Sequence, residues 1–152
     1  MIIYLGADHR GFAIKEHLKQ SLKSQGYEMV DLGNSVLDEN DDYPDFASAV
    51  GRKVSAAPME SRGIVVCGSG AGVAIVADKF PGVRAVLAAS GDQAYDARRD
   101  DDVNVLALAA NFIGLEDAVK IVQSFLSTPT VTEDRYKRRL QKIVAIEGEL
   151  YR

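Results

Sequence analysis

The stretch Gly63-Ile-Val-Val-Cys-Gly-Ser-Gly-Ala-Gly72 runs from an apolar segment straight into a glycine-rich loop, and it indicates how the whole chain folds. The apolar part, Gly63–Val66, is predicted as a short strand, and a helix is predicted from Ala71 to Lys79. The loop between them brings the unpaired N–H groups of a helix start to the end of a strand, an arrangement that binds anions. The alternative is a tight connection that holds no ligand.

Strands and helices are predicted to alternate on both sides of this stretch, because short apolar runs alternate with amphipathic segments. The other predicted strands are Ile2–Leu5, Glu28–Leu32, Val83–Leu87 and Asn104–Leu108. The other predicted helices are Phe12–Gln25, Pro44–Ala56, Asp92–Arg99, Leu115–Leu126 and Glu133–Glu147. We therefore expect a single α/β domain, residues 1–152, with a doubly wound parallel sheet of five strands and a C-terminal helix.

Length and composition narrow the class of protein. The chain of 152 residues has room for one domain, and 18 Lys and Arg against 22 Asp and Glu give a formal net charge of −4. This acidic balance argues against non-specific nucleic-acid binding. The lone cysteine, Cys67, excludes an intrachain disulfide and a Cys-rich zinc site. With no signal peptide at Met1 and no apolar run long enough for a membrane span, a cytoplasmic protein is expected.

Ligands of open parallel sheets bind beyond the carboxyl ends of the strands, and this rule selects the candidate site residues. They are Asp8, His9, Cys67 to Gly72, Ser90 and the Asp100–Asn104 segment. Directly after the first strand, Asp8-His9-Arg10 offers a carboxylate, an imidazole and a guanidinium, which suit hydroxyl groups and a phosphate. The alternative is that Asp8 caps the following helix and its neighbours are solvated.

Three other features each have a functional and a structural interpretation. Cys67 ends a strand at the start of a helix, where the helix dipole favours a reactive thiolate, but a lone cysteine is often a small buried apolar residue. Arg135 and Arg139 are four apart on a predicted helix, so they share a face that either binds a phosphate or is solvated. Five acids and no base lie between Ser35 and Asp45, and this loop is predicted to be solvated.

Six stretches, spread in order over nearly the whole chain, resemble the sugar-phosphate isomerase family that includes type B ribose-5-phosphate isomerase and the galactose-6-phosphate isomerase subunits. They are Gly6-Ala-Asp-His-Arg-Gly-Phe-Ala-Ile-Lys15, Asp42-Tyr-Pro-Asp45, Gly63–Gly72, Lys79-Phe-Pro-Gly-Val-Arg-Ala85, Asn104-Val-Leu106 and the pair Arg135 and Arg139. The resemblance implies a Rossmann-like enzyme that interconverts aldose and ketose phosphates without a metal or other cofactor. It also implies a homodimer, or a dimer of dimers, with active sites at the subunit interface.

The resemblance assigns the proton transfers to the end of the third strand and its loop. Cys67 is implied as the base that moves a proton between C1 and C2, and Ser69, where many members have Thr, as a group that moves protons between the two oxygens. The backbone N–H groups implied to hold the enediolate oxygen are those of Gly68, Gly70, Ala71 and Gly72. A positioned base and a preorganised donor loop are what such a proton transfer needs.

The substrate contacts implied by the resemblance come from both ends of the chain. Asp8 and Tyr43 are implied to contact the sugar hydroxyls or the ring. His9, Arg135 and Arg139 are implied to bind the phosphate, with the two arginines reaching either their own site or that of the partner subunit.

The sequence departs from the family pattern at several positions. Asp100, Asp101 and Asp102 stand where many members have His-Asn-Asp, of which the His opens the sugar ring. Asp78 stands where Asn is usual, and Asn111 where an Arg often helps to bind phosphate. We expect crowding to raise the pKa of Asp100, so that it opens the ring in place of the His, with Asp101 as a sugar contact. Otherwise ring opening is poorly catalysed and open-chain substrates are favoured.

Together with the resemblance, these residues predict an isomerase that converts ribose 5-phosphate to ribulose 5-phosphate. Two alternatives stay open: an isomerase of a four- or six-carbon sugar phosphate, and a non-catalytic sugar-phosphate sensor on the same fold. Cys67, Ser69 and the glycine loop favour an enzyme, whereas the missing ring-opening His favours a sensor or a changed substrate.

Overall fold

A computed structural model describes residues 1–130 and 133–151 as one five-stranded parallel sheet with helices on both faces. The strands are β1 (Ile2–Ala7), β2 (Glu28–Asp31), β3 (Ser61–Cys67), β4 (Ala85–Leu87) and β5 (Val105–Ala109). The helices are α1 (Phe12–Ser24), α2 (Tyr43–Ala56), α3 (Ala71–Ala77), α4 (Gly91–Asp101), α5 (Leu115–Ser127) and α6 (Asp134–Leu150). The strand order is β2-β1-β3-β5-β4, so the predicted fold class is confirmed.

Alternate residues along the strands supply two apolar cores, one on each face of the sheet. On one face, Leu5 packs with Phe125 of α5 and with residues of α1 and α4. On the other face, Val65 and Val105 pack with Val50 of α2 and with residues of α3. All residues of β5 are buried, as expected for a strand covered on both sides. Among the described residues no helix is long and apolar enough to cross a membrane.

The C-terminal end of α4 lies at the amino edge of the sheet, opposite the edge where ligands bind. The helix follows β4, returns along the sheet and leads into β5, so its last residues meet the start of that strand. Asp102 ends the helix in the left-handed region (φ 48°), and the guanidinium groups of Arg84 and Arg98 donate to its carboxylate. The prediction that the Asp100–Asn104 segment lies at the carboxyl edge is therefore wrong.

Candidate active site

A cavity of about 460 Å³ opens at the carboxyl edge of the sheet, beyond the ends of β1 and β3. It is lined by Asp8, His9, Arg10, Asp41, Asp42, Tyr43, Cys67, Gly68, Ser69, Gly72 and Asn111. The structure thus brings together the predicted residues of the turn after β1, the glycine loop and the start of α2.

Cys67 is the last residue of β3 and lines the cavity as a free thiol with 4% of its surface exposed. The N–H group of Gly70 donates a hydrogen bond to its Sγ over 3.2 Å. Gly70 has φ +73°, and a Cβ at this position would lie 2.4 Å from Leu87 Cδ1, so the turn requires glycine. The turn therefore fixes the sulfur at the wall of the cavity.

The glycine loop leaves hydrogen-bond donors free beside Cys67. Within the described part of the chain, the backbone N–H groups of Ser69, Ala71 and Gly72 have no acceptor. They are the unpaired donors of a helix start, which are suited to an oxyanion. The Tyr43 ring lies directly on this loop, since a Cβ at Gly72 would be 2.7 Å from two of its ring carbons.

Asp8 is buried at the end of β1, where its Oδ1 accepts a hydrogen bond from the Gly11 N–H group at 3.0 Å. This bond closes the turn that leads into α1. The carboxylate also borders the cavity, so the structural and the functional interpretation of Asp8 are compatible.

His9 is held by the carboxylate of Asp41, which lies 32 residues further along the chain. Asp41 Oδ1 contacts both the backbone N–H and the ring Nδ1 of His9, each at 2.8 Å. The hydrogen bond to the ring raises the pKa of His9, an effect that desolvation partly offsets. Only 6% of the Asp41 side chain is exposed, so the prediction that the acidic loop is solvated is wrong for this residue.

A fully buried lysine fixes the loop that carries Asp41. Lys15 Nζ donates to Asp31 Oδ2 at 2.6 Å and to the carbonyl oxygen of Asn34 at 2.9 Å. The side-chain amide of Asn34 donates in turn to Asp41 Oδ2 at 3.1 Å. These contacts compensate the buried charge and hold the carboxylate that orients the imidazole.

Arg135 and Arg139 form a second group of predicted residues, next to Asp100 at the amino edge of the sheet. Both guanidinium groups stack on the ring of Tyr136, at 4.7 and 5.5 Å from its centroid, so the predicted shared face is confirmed. The pKa of the Asp100 carboxyl group is lowered, mainly by hydrogen bonds from Arg99. The prediction that crowding raises this pKa is wrong, because cations neighbour the carboxylate and keep it ionised.

The cavity and the second group lie at opposite edges of the sheet within one chain. The five residues of β5 span about 17 Å at roughly 3.3 Å per residue. Predicted site residues that do not line the cavity are Gly70, Ala71, Asp100, Asp101, Arg135 and Arg139. Gly70 and Ala71 belong to the loop beside it, whereas the other four are separated from Cys67 by the length of the sheet.

Asp41 and Asp42 are cavity residues that the sequence analysis does not identify. The sequence gives one indication that they belong to the site, because both directly precede Tyr43, which is a predicted site residue. Arg10 and Asn111 also line the cavity; the former belongs to the Asp8-His9-Arg10 candidate, and the latter is a departure from the family pattern.

Known proteins similar to this chain match it over nearly its whole length. The family described as Ribose/Galactose Isomerase matches residues 3–143. The probable ribose-5-phosphate isomerase B of Mycoplasma genitalium is 40% identical over 147 residues, which cover 97% of this chain and 96% of that protein. The crystal structure of ribose-5-phosphate isomerase B from Mycoplasma genitalium with bound ribulose-5-phosphate has a TM-score of 0.93 and 39% identity, with 97% of each chain covered. Ribose-5-phosphate isomerase B from Clostridium thermocellum has a TM-score of 0.91 and 36% identity, with 99% of each chain covered.

Proposed function

This chain belongs to the Ribose/Galactose Isomerase family, and we propose that it is an aldose–ketose isomerase that converts ribose 5-phosphate to ribulose 5-phosphate without a metal or other cofactor. The proposal is carried by one observation: Cys67, Ser69 and the glycine loop border one cavity, in a chain similar to an isomerase crystallised with ribulose-5-phosphate. A thiol and a set of backbone donors are suited to moving a proton between adjacent carbons.

Cys67 acts as the base for the carbon-bound proton. Its thiolate removes the proton from C2 of the open-chain aldose, the electron pair forms the C1–C2 double bond, and O1 takes the negative charge. The free N–H groups of Ser69, Ala71 and Gly72 stabilise this oxyanion, and the loss of one such donor costs about 3 kcal/mol. The thiol then returns the proton to C1 while the Ser69 hydroxyl passes the O2 proton to O1, which yields the ketose.

Arg135 and Arg139 bind the substrate phosphate in the cavity of a partner subunit, because in their own chain they lie at the edge opposite Cys67. The protein is therefore a homodimer, or a dimer of dimers, with shared active sites. Asp100 and Asp101 approach the sugar from the same side as the two arginines. As an ionised carboxylate, Asp100 accepts hydrogen bonds from hydroxyl groups and is not a proton donor to the ring.

The apolar surface of α6 supports this assembly. The helix buries only Tyr136 in its own chain, among the residues that the structure describes. Its exposed apolar residues are Ile143, Val144, Ile146 and Leu150. An apolar helix face of this kind is typical of an interface between subunits.

Asp8 and Tyr43 contact the sugar and His9 contacts the phosphate from the chain that supplies Cys67, since all four line one cavity. We place the enzyme in the cytoplasm, where a lone catalytic thiol stays reduced. A coupled isomerase assay over four-, five- and six-carbon aldose phosphates tests the substrate, and ribose 5-phosphate should give the highest kcat/KM. A preference for erythrose 4-phosphate, whose phosphate blocks ring closure, would instead assign an open-chain substrate. Binding without turnover of any sugar phosphate would identify a sensor and contradict the proposal.

A further inference from the structure

We propose that Arg10 is a phosphate-binding residue of the cavity, contributed by the same chain as Cys67. The inference rests on the proposed function and deepens it, because it assigns a further binding group to the phosphate of the substrate. Its basis is the guanidinium group of Arg10, which lies over the glycine loop at the cavity wall. This group forms no hydrogen bond or ion pair with any residue that the structure describes.

Gly68 makes room for the Arg10 side chain. A Cβ at Gly68 would lie 2.7 Å from Arg10 Cδ and 3.2 Å from Arg10 Nη1, so the guanidinium group approaches the loop where a side chain is absent. The same point lies 3.1 Å from Asn111 Nδ2, and the backbone N–H group of Asn111 donates to the Gly68 carbonyl oxygen at 2.9 Å. Arg10 and Asn111 therefore meet over one residue of the loop, the first from the turn after β1 and the second from the turn after β5.

The turn that carries Arg10 is fixed by backbone contacts. The N–H group of Gly11 donates to Asp8 Oδ1 and to the Asp8 carbonyl oxygen, at 3.0 and 3.1 Å. A Cβ at Gly11 would lie 2.6 Å from the Val66 carbonyl oxygen, so the turn packs directly on β3. The backbone of Arg10 is thus held beside the cavity without the help of its own side chain, which leaves the guanidinium group for a ligand.

The charges in the cavity call for a cation that binds the phosphate. Among the described residues that line the cavity, Arg10 is the one with a permanent positive charge. Of the three carboxylates there, Asp8 accepts a hydrogen bond within its own turn, and Asp41 accepts from His9. The planar guanidinium group matches the geometry of a phosphate and stays charged throughout the neutral pH range, so it offsets the repulsion between the carboxylates and a dianion.

Arg10 lies within electrostatic range of His9, the other proposed phosphate contact from this chain. The hydrogen bond with Asp41 raises the pKa of His9 overall, and the positive charge of Arg10 counteracts part of this rise. An anion bound between the two side chains would be attracted by both when the imidazole is protonated. The proximity therefore fits one phosphate that contacts both residues.

Arg10 and Cys67 approach the cavity from opposite faces of the sheet. Cys67 packs in the core that α2 and α3 cover, whereas Arg10 leads into α1, which covers the other face. A substrate that contacts both side chains must extend across the cavity. In an aldose phosphate the reacting carbons and the phosphate are at opposite ends of the molecule. The place of Arg10 therefore suits the phosphate, while the loop donors beside Cys67 suit the oxyanion.

The variant Arg10→Ala tests the proposal, with Lys23→Ala, at the exposed end of α1, as a control that also removes one positive charge. Two reactions are measured: the conversion of ribose 5-phosphate, and the exchange of the C1 proton of ribulose 5-phosphate with deuterated water (C1 exchange). Because both substrates carry the phosphate, KM should rise about tenfold or more in both reactions. The dissociation constant of inorganic phosphate, measured by phosphorus NMR, should rise in the same proportion. The control should keep the wild-type values.

The double variant Arg10→Ala/Asn111→Arg distinguishes phosphate binding from a structural role. Since both side chains border the same point over Gly68, an arginine at position 111 brings a guanidinium group back to the cavity wall. We expect this variant to recover most of the phosphate affinity that Arg10→Ala loses. A residue that only supported the turn after β1 would not be replaced from the turn after β5.

The outcomes separate this inference from the proposed function. Unchanged KM and phosphate affinity in Arg10→Ala would overturn the inference, and so would a loss that the second arginine does not recover. Dissociation of the dimer in native mass spectrometry of Arg10→Ala would assign the residue to the subunit interface instead and would also overturn it. A wild-type chain that performs neither reaction overturns the proposed function, while the affinities for inorganic phosphate still decide the role of Arg10.

Discussion

At the scale of a single residue, Cys67 is the proposed base, since its sulfur lies at the cavity wall beside the free loop donors. In Cys67→Ala, both ribose 5-phosphate conversion and C1 exchange should fall by about 10²–10⁴-fold, because both need the base. KM should change little, since the thiol is not proposed to bind substrate. Steady-state kinetics and deuterium incorporation measure the two reactions. A variant that keeps more than about a tenth of either activity would place the base elsewhere.

Lys15 stabilises the fold and the site through one buried charge. Lys15→Met leaves the Asn34 carbonyl without its donor and weakens the compensation of Asp31, which keeps a contact with Lys19. The free energy of unfolding should fall by about 3 kcal/mol, the lower end of the effect of breaking a buried ion pair. Urea denaturation measures this loss, with Lys23→Met at the exposed end of α1 as the control. Equal stability of the two variants would contradict the structural role of Lys15.

The positions of residues at the cavity could be predicted where a local pattern determines them. Cys67 and its loop are recognisable because a strand end, glycines and a helix start follow one another in the chain. The role of Asp41 depends on a contact with His9 across 32 residues, and nothing in the composition of an acidic loop reveals such a partner. In the sequence, Asp100 neighbours two other acids. In the structure, hydrogen bonds from Arg99 lower the pKa of its carboxyl group.

At the scale of an element, helix α6 carries both Arg135 and Arg139, so their proposed role in phosphate binding is tested by substitutions in one helix. Arg139→Ala should weaken the binding of substrate and of inorganic phosphate about tenfold or more, because one charge-assisted hydrogen bond contributes about 1.5–3 kcal/mol. The KM for ribose 5-phosphate and the inhibition constant of phosphate measure this. Arg138→Ala, on the same helix, is the control. Unchanged phosphate affinity in both Arg135→Ala and Arg139→Ala would remove these residues from the phosphate site.

The elements themselves were predictable to within a few residues, because apolar periodicity reflects burial on a two-sided sheet. The main differences between the predicted and the observed bounds lie next to turns. Val83 is predicted to begin β4, yet its N–H group bonds to the Phe80 carbonyl in the turn, and the strand begins at Ala85. The last turn of α4 extends through Asp101, and Asp102 ends it, because Arg84 and Arg98 hold that carboxylate in place.

At the scale of the whole molecule, the proposed active site draws on two parts of the chain that lie at opposite edges of the sheet. In the proposed mechanism, the cavity supplies the base and the oxyanion donors, and the far edge of the sheet supplies the arginines for the phosphate. The pattern of a single sequence does not show this separation, because it does not state at which edge of the sheet the C-terminal helix lies. The exposed apolar residues of α6 provide a surface on which two copies can associate.

The most direct test mixes two variants, each of which lacks one part of the proposed active site. Cys67→Ala lacks the base but keeps the arginines, and the double variant Arg135→Ala/Arg139→Ala keeps the base. When equal amounts are unfolded and refolded together, about half of the dimers contain one chain of each kind, and each such dimer has one complete site. The mixture should therefore regain about a quarter of the wild-type ribose 5-phosphate isomerase activity. Activity no higher than that of the separate variants, in a sample where native mass spectrometry detects the mixed dimer, would contradict an active site shared between two subunits.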